Sequence, residues 1–183
     1  MKISAVIGID PGANGGIAVF VPGYKVKTVK MPKDMIDLRD FLSYFGENFH
    51  PIVFLEKLNV RPDDIMQGEG KAAMGKLYRI QKMIANYEHL KAVIETLGIP
   101  YVLIHPRSWQ SKLKLAKTGE EKAERKRRLK EAAEKLYPGA KVTLWNSDAL
   151  LIMHFGRWAL KNDVKWIKAN LPQREHSKLF ENV

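Results

Sequence analysis

Cysteine is absent from the 183 residues, which excludes a disulfide framework and any metal site built on thiolates. No apolar run reaches the length of a membrane span, and the opening MKISAVIGID has no small-residue cleavage region. Neither a spanning helix nor a signal peptide is therefore expected, and the cytoplasm is the expected location. Internal repeats and low-complexity stretches are missing too. Acidic residues are in short supply: 20 Asp and Glu stand against 31 Lys and Arg, leaving a formal charge of +11. That excess points to a polyanionic partner, either nucleic acid or an anionic membrane surface. What remains is ordinary for a globular protein, with 45% hydrophobic and 28% charged residues, and residues 1–183 are expected to form a single domain.

The first third alternates as a sheet does. SAVIGID, GIAVFV and YKVKTVKM read as three strands joined by Gly- and Pro-containing turns, an antiparallel meander. KDMIDLRDFLSYF carries Met35, Ile36, Leu38, Phe41, Leu42 and Phe45 on a helical stripe, and PIVFLE follows as a short apolar strand. Residues 59–71, with Pro and two Gly, read as a loop. A long helix is expected over about 72–97, where Leu77, Ile80, Ile84, Tyr87, Leu90, Ile94 and Leu97 recur every three or four residues. Met74, Met83 and Val93 widen that stripe, so the helix is expected to be covered on two sides. IPYVLIHP gives a fifth strand, SWQSKLKL and EEKAERKRRLKEAAEKLY two further helices, and SDALLIMHFGRWALK an apolar helix. The tail beyond it carries little signal. The order implies an α/β layer fold around a mixed sheet.

Three acids stand out by position. Asp10 ends the first strand, Glu56 ends the fourth, and Asp148 lies in the first turn of the apolar helix. If the first and fourth strands are neighbours, their carboxylates are neighbours, and a helix docking by its N-terminus brings the third. Clustered carboxylates repel unless a cation sits among them, and hard oxygen donors select Mg²⁺ or Mn²⁺. On a basic protein this suggests phosphodiester hydrolysis. Each acid also has an ordinary reading: Asp10 as a turn residue, Glu56 as a surface residue at a strand end, and Asp148 as an acid favoured by the helix dipole.

IGIDPGANGGIAV, VFLEKL, HPRSWQ and SDALLIMHFG, in this order, resemble the RuvC-like Holliday junction resolvases of the RNase H superfamily, particularly the short bacteriophage versions. The resemblance runs from residue 5 to about 157. It implies an RNase H-like fold, a five-stranded mixed sheet flanked by helices, and a homodimer that nicks opposed strands of a four-way DNA junction, leaving a 5′-phosphate and a 3′-hydroxyl. It further implies that Asp10, Glu56 and Asp148 are catalytic metal ligands, for two Mg²⁺ ions per site with Mn²⁺ as substitute. The family's usual fourth ligand, three residues before the helix acid, is replaced here by Trp145, which cannot bind metal. Asn146 is a candidate replacement through its amide oxygen, but helix N-cap is its preferred role. His154 lies off the Asp148 face of the helix and is the weaker alternative.

Basic residues along HPRSWQSKLKL and the charged helix are expected to meet DNA phosphates: Arg107, Lys112, Lys114, Lys117, Arg125, Lys126, Arg127 and Arg128. The i,i+4 charge pairs of the second helix also suit a solvated face. Trp109 reads chiefly as a core anchor, the 59–71 loop as the segment nearest the junction centre, and the 72–97 helix as the dimer contact. Rival readings are another nuclease of the superfamily acting on forks, flaps or RNA/DNA hybrids, and a branched-DNA-binding protein without cleavage. A lobe of a sugar kinase or actin-like protein also begins D-x-G after a strand, but such proteins need two lobes.

Overall fold

The structure, a computed structural model, describes residues 3–12, 14–60 and 70–172, with backbone only for residues 70–72. Strands β1 (Ala5–Asp10), β2 (Gly16–Phe20) and β3 (Lys27–Lys30) form the expected meander, with β3 shorter than its sequence pattern. Helix α1 (Met35–Asn48) leads into β4 (Pro51–Glu56), which pairs parallel to β1, and α2 (Gly70–Thr96) leads into β5 (Tyr101–Ile104), parallel to β4. The five strands are ordered β3-β2-β1-β4-β5. This is the five-stranded mixed sheet with flanking helices that the sequence implied. The loop expected over 59–71 falls mostly at 61–69, outside the described residues.

Period-two alternation divides the core. Ala5, Ile7, Ile9, Val53, Leu55 and Tyr101 face α1 and α2. Val6, Ile52, Phe54, Val102 and Ile104 face the other layer. That layer is α3 (Pro106–Lys112), α4 (Lys122–Leu136), α5 (Ser147–Asn162) and α6 (Val164–Asn170). Helix α3 begins at Pro106, two residues before the expected start, because proline at the first helical position forfeits no hydrogen bond. Asp163 caps α6 by accepting a hydrogen bond from the Trp166 backbone N–H, giving a helix the tail's sequence did not announce.

Helix α5 is the buried element the sequence called for, with Ala149, Leu150, Leu151, Ile152 and Met153 all inaccessible. It lies so close on β1 that a Cβ at Gly8 would stand 2.3 Å from the Met153 backbone nitrogen. Among the described residues no helix is long and apolar enough to cross a membrane.

Candidate active site

Val6 and Gly8 of β1 face α5, so alternation puts Asp10 on the same face; Ile52 and Phe54 of β4 do the same for Glu56. Ile9 stands beside Leu55 in the parallel register, so the next residues along, Asp10 and Glu56, leave adjacent strands together at their carboxyl ends. The turn after β1 is shaped around the first acid. Asp10 Oδ1 accepts a 3.1 Å hydrogen bond from the Gly12 N–H. A Cβ at Gly15 would fall 2.3 Å from the Asp10 carbonyl oxygen and 2.7 Å from its Cγ. The two glycines permit a reversal that wraps the carboxylate closely, and Asp10 then pairs with Gly16 across the hairpin.

Glu56 is held from the other side. The indole Nε1 of Trp109, itself fully buried, donates a 2.8 Å hydrogen bond to Glu56 Oε1. Asp148, in the first turn of α5, accepts a 3.3 Å hydrogen bond from Ser147 Oγ.

The three half-buried acids sense one another. Burial pushes Glu56 up to about 8, opposed by the Trp109 hydrogen bond and reinforced by the charges of Asp10 and Asp148. Burial and then the Asp10 charge push Asp148 up to about 6. Asp10 is raised by burial, against the Gly12 N–H and the Lys126 charge. Such a set is short of positive charge. The chemistry of the donors, oxygen throughout and anionic, fits a hard divalent cation. The side chains are not converged on one point: among the described residues no three His, Asp or Glu groups lie close enough to hold a metal as they stand. Each acid is instead engaged by its own donor, Gly12, Trp109 or Ser147.

Helix α4 brings cations to the acids. Lys126 acts on Asp10 and Asp148, and Arg125 acts on Glu56 and Asp148. Arg107, Lys112, Lys114, Lys117 and Arg127 are exposed. Lys112 is 3.5 Å from Asp163 and its Nζ lies 5.6 Å from the Trp158 ring centroid, so it leans on the α5–α6 corner.

Arg128 differs from its neighbours. Its guanidinium grips Glu120 through two bonds of 2.8 and 2.7 Å and donates a third, of 2.6 Å, to the Leu115 carbonyl. Those bonds clasp the segment before α4 onto the helix, so the guanidinium expected to meet phosphate is occupied here by Glu120 and Leu115.

Around the position of the missing fourth ligand, Trp145 is half-buried, its ring against Gly16: a Cβ there would lie 2.8 Å from Cε3. Asn146 is buried, and its amide is fully engaged elsewhere. Oδ1 accepts from the Thr143 N–H at 2.7 Å and from Thr143 Oγ1, while Nδ2 donates to the Lys141 carbonyl and Thr28 Oγ1. It occupies the N-cap position of α5 without a side-chain cap bond. The expected capping role is therefore not what its side chain performs; it pins the 141–146 loop to β3, with both amide atoms occupied. His154 pairs with the Tyr137 hydroxyl at 3.0 Å, away from the acids.

Sequence reasoning missed the Trp109–Glu56 bond and the split among the arginines. HPRSWQ marked Trp109 as an anchor, but only the placement of α3 beside the end of β4 shows that its N–H has a carboxylate to meet.

No family model matches the sequence, and no curated protein matches it. Among solved structures the chain is similar to Thermus thermophilus RuvC, with 14% identity and a TM-score of 0.47 over 86% of this chain and 95% of that one. It is also similar to T. thermophilus RuvC in complex with Holliday junction substrate, with 16% identity and a TM-score of 0.49 over 86% and 95% of the two chains.

Proposed function

We propose that this protein is a metal-dependent endonuclease that nicks opposed strands of four-way DNA junctions. The observation that carries the reading is the gathering of Asp10, Glu56 and Asp148 on one face, each raised by burial and two of them further by their neighbours' charge, with Lys126 and Arg125 beside them. A chain of charge +11 that keeps three acids together is arranged to bring a polyanion against a cation-binding spot.

In this reading Asp10, Glu56 and Asp148 hold Mg²⁺, or Mn²⁺ in its place, two ions per site. The chemistry such ions supply is activation of water and neutralisation of charge on the leaving oxygen. The chain's own work is positional. Trp109 orients Glu56, the Gly12 N–H orients Asp10, and Lys126 and Arg125 draw the phosphate backbone toward the acids. Paired nicks need two sites at fixed separation. Helix α2 leaves Met74, Tyr78, Met83 and Ile84 between 38 and 69% exposed, an apolar strip suited to a second copy of the chain.

A second reading, branched-DNA binding without cleavage, is favoured by Trp145 and by the separate engagement of the three carboxylates. One experiment separates them: purified protein with Mg²⁺ or Mn²⁺ and labelled four-way junction, fork, flap, RNA/DNA hybrid and linear duplex, with Asp10→Asn alongside. Paired symmetric nicks confined to the junction, lost in Asp10→Asn while binding is kept or tightened, establish the resolvase. Cutting of forks, flaps or hybrids widens it to another nuclease of the superfamily. Tight junction binding with no cutting establishes the second reading.

A further inference from the structure

At the end of the sheet away from the acids, a groove of about 150 Å³ opens between α1 and the turn that joins β2 to β3. Buried Val19, Val21 and Phe45 form its floor. Tyr24, Phe49 and Tyr44 form its walls, linked through Phe45 by ring contacts: Tyr24 to Phe49 at 6.1 Å, Phe49 to Phe45 at 6.0 Å and Phe45 to Tyr44 at 5.2 Å. Tyr24 and Tyr44 are nonetheless 69% and 55% exposed. The turn that carries Tyr24 is fixed: its N–H donates a 3.1 Å hydrogen bond to the Val21 carbonyl, and Pro22 and Gly23, the latter at φ +83°, are the central pair that a type II turn favours. A fixed turn and a helix thus present two amphipathic rings already ordered, so a partner meets little of the cost of ordering them.

The rim is basic. Lys25 and Lys27 are exposed at the opening, no acid lines it, and among the described residues neither lysine is in an ion pair. Lys27 stands opposite Val19 in the β2–β3 register, so its side chain shares the α1 face, with Nζ 5.6 Å from the Phe41 ring centroid. Lys27 also begins β3, the last strand on that side of the sheet, whose outer edge pairs with no strand among the described residues. An aromatic groove that runs into an open strand edge suits an extended peptide: the edge supplies main-chain hydrogen bonds and the groove selects one side chain. The volume fits one bulky side chain and lies below the range for drug-sized ligands. Lysines along the edge repel a like-charged edge, which counts against a second copy of this chain, and attract acids. Phe20, the last residue of β2, pairs with Val6, whereas Asp10 pairs with Gly16 at the other end of the hairpin, and Val19 and Val21 face α1 rather than α5. DNA seated at the acids approaches the other end and the other face of the sheet, which leaves this groove to a different partner.

We propose that the groove and the β3 edge form a docking site for an extended acidic segment of a partner protein, anchored by one aromatic or branched aliphatic side chain. The anchor lies between Tyr24 and Tyr44, its flanking carboxylates meet Lys25 and Lys27, and its main chain pairs along β3. The site is independent of the nuclease reading, since none of its residues belongs to the acidic cluster or to α4.

The test presents the full chain to a random-sequence peptide library displayed on phage. Enriched peptides, synthesised with a fluorescent label, are then measured by anisotropy. The expected consensus is an aromatic or branched aliphatic residue flanked by Asp and Glu. Tyr24→Ser/Tyr44→Ser and Lys25→Glu/Lys27→Glu should each weaken binding roughly tenfold or more, the lysine pair also removing its salt dependence. Four-way-junction affinity should stay at the wild-type value in both. All four side chains are exposed, and if the tyrosine variant does not fold by circular dichroism the lysine variant serves alone. No enrichment, a consensus without acids, or a peptide affinity that the variants leave unchanged overturns the inference. So does a junction affinity that falls together with peptide affinity in Lys25→Glu/Lys27→Glu, which assigns the surface to DNA. Loss of a dimer in sedimentation of Tyr24→Ser/Tyr44→Ser assigns it to a second copy, and peptide binding seen only after Phe180→Ser assigns it to this chain's own tail; either result also overturns it.

Discussion

Trp109 and Glu56, 53 positions apart in the chain, are joined by a 2.8 Å hydrogen bond from the indole N–H to the carboxylate. The same ring is fully buried between α3 and the sheet, so one side chain both anchors a helix and orients a candidate metal ligand. That bond is the strongest influence opposing the rise of Glu56 to about 8. Trp109→Phe keeps an aromatic anchor but removes the donor. The Glu56 carboxyl should then titrate still higher in the metal-free protein, and cleavage at subsaturating Mg²⁺, whose binding must displace that proton, should fall at neutral pH. The variant-to-wild-type ratio of single-turnover rates should recover as pH is raised; a ratio flat with pH would leave Trp109 only its packing role. Loss of ring volume should also cost about 1–3 kcal/mol of stability, read by urea denaturation.

Glu56 makes stability depend on pH in the metal-free protein. Its folded pKa of about 8 lies above the ordinary 4.5, so between those values the folded state binds a proton that the unfolded state has released. Stability should therefore be greatest below about 4.5, as far as this group is concerned, and fall as pH rises toward 8, by up to several kcal/mol. Asp148, raised to about 6, adds to the same slope over a lower window. Denaturation series in EDTA from pH 5 to 8 should show the decline, and Glu56→Gln should flatten it. Mg²⁺ should raise stability most at the alkaline end, since it binds the ionised carboxylates and displaces their protons. A wild-type slope of the opposite sign would contradict the burial assigned to Glu56.

Gly8 lets α5 approach β1, and through α5 it sets the height of Asp148 over Asp10. A Cβ there would meet the Met153 nitrogen at 2.3 Å and the Ala149 carbonyl at 2.5 Å, both backbone atoms that cannot turn aside. Gly8→Ala should destabilise by about 1–3 kcal/mol or more through overpacking. Cleavage by the fraction still folded should fall as well, because α5 must lift and carry Asp148 with it. Gly75→Ala makes the contrast: its Cβ meets nothing within 4 Å, and it should be neutral or slightly stabilising in an exposed helix. Equal midpoints for the two variants would refute the close helix–strand contact.

Much of this was legible in the sequence, for reasons that differ by element. Strands β1, β2 and β4 are short apolar runs stopped by Pro, Gly or an acid, and α5 is apolar nearly all round, so local pattern and burial agree. Asp10, Glu56 and Asp148 are legible as candidates because each sits at an element's end, a one-dimensional property. Asp10 and Glu56 share a face by alternation once β1 and β4 are neighbours, and the docking of α5 on that face adds Asp148. Other features depend on which distant atoms meet. Nothing near Asn146 in sequence shows that Thr28, 118 residues away, takes its amide hydrogen. Helix α6 is seven residues long and owes its start to Asp163, too short a stretch for periodicity to register.

The basic stretch of α4 separates into two kinds of residue with two different signatures. The charges of Lys126 and Arg125 reach the acids, whereas Arg128 is occupied by Glu120 and the Leu115 carbonyl. Lys126→Ala or Arg125→Ala should weaken junction binding and reduce the slope of log K against log salt by about one each, with little change in thermal midpoint. Arg128→Ala should do the reverse. Its guanidinium makes three hydrogen bonds, and removing it frees the segment from Leu115 to Glu120 and leaves that carboxylate without its partner. Thermal stability should drop while the salt slope stays at the wild-type value. Fluorescence anisotropy across a salt series, paired with thermal melts of the same preparations, reads both quantities. A lowered salt slope for Arg128→Ala would show that Arg128 also meets phosphate and that the Glu120 clasp opens on DNA.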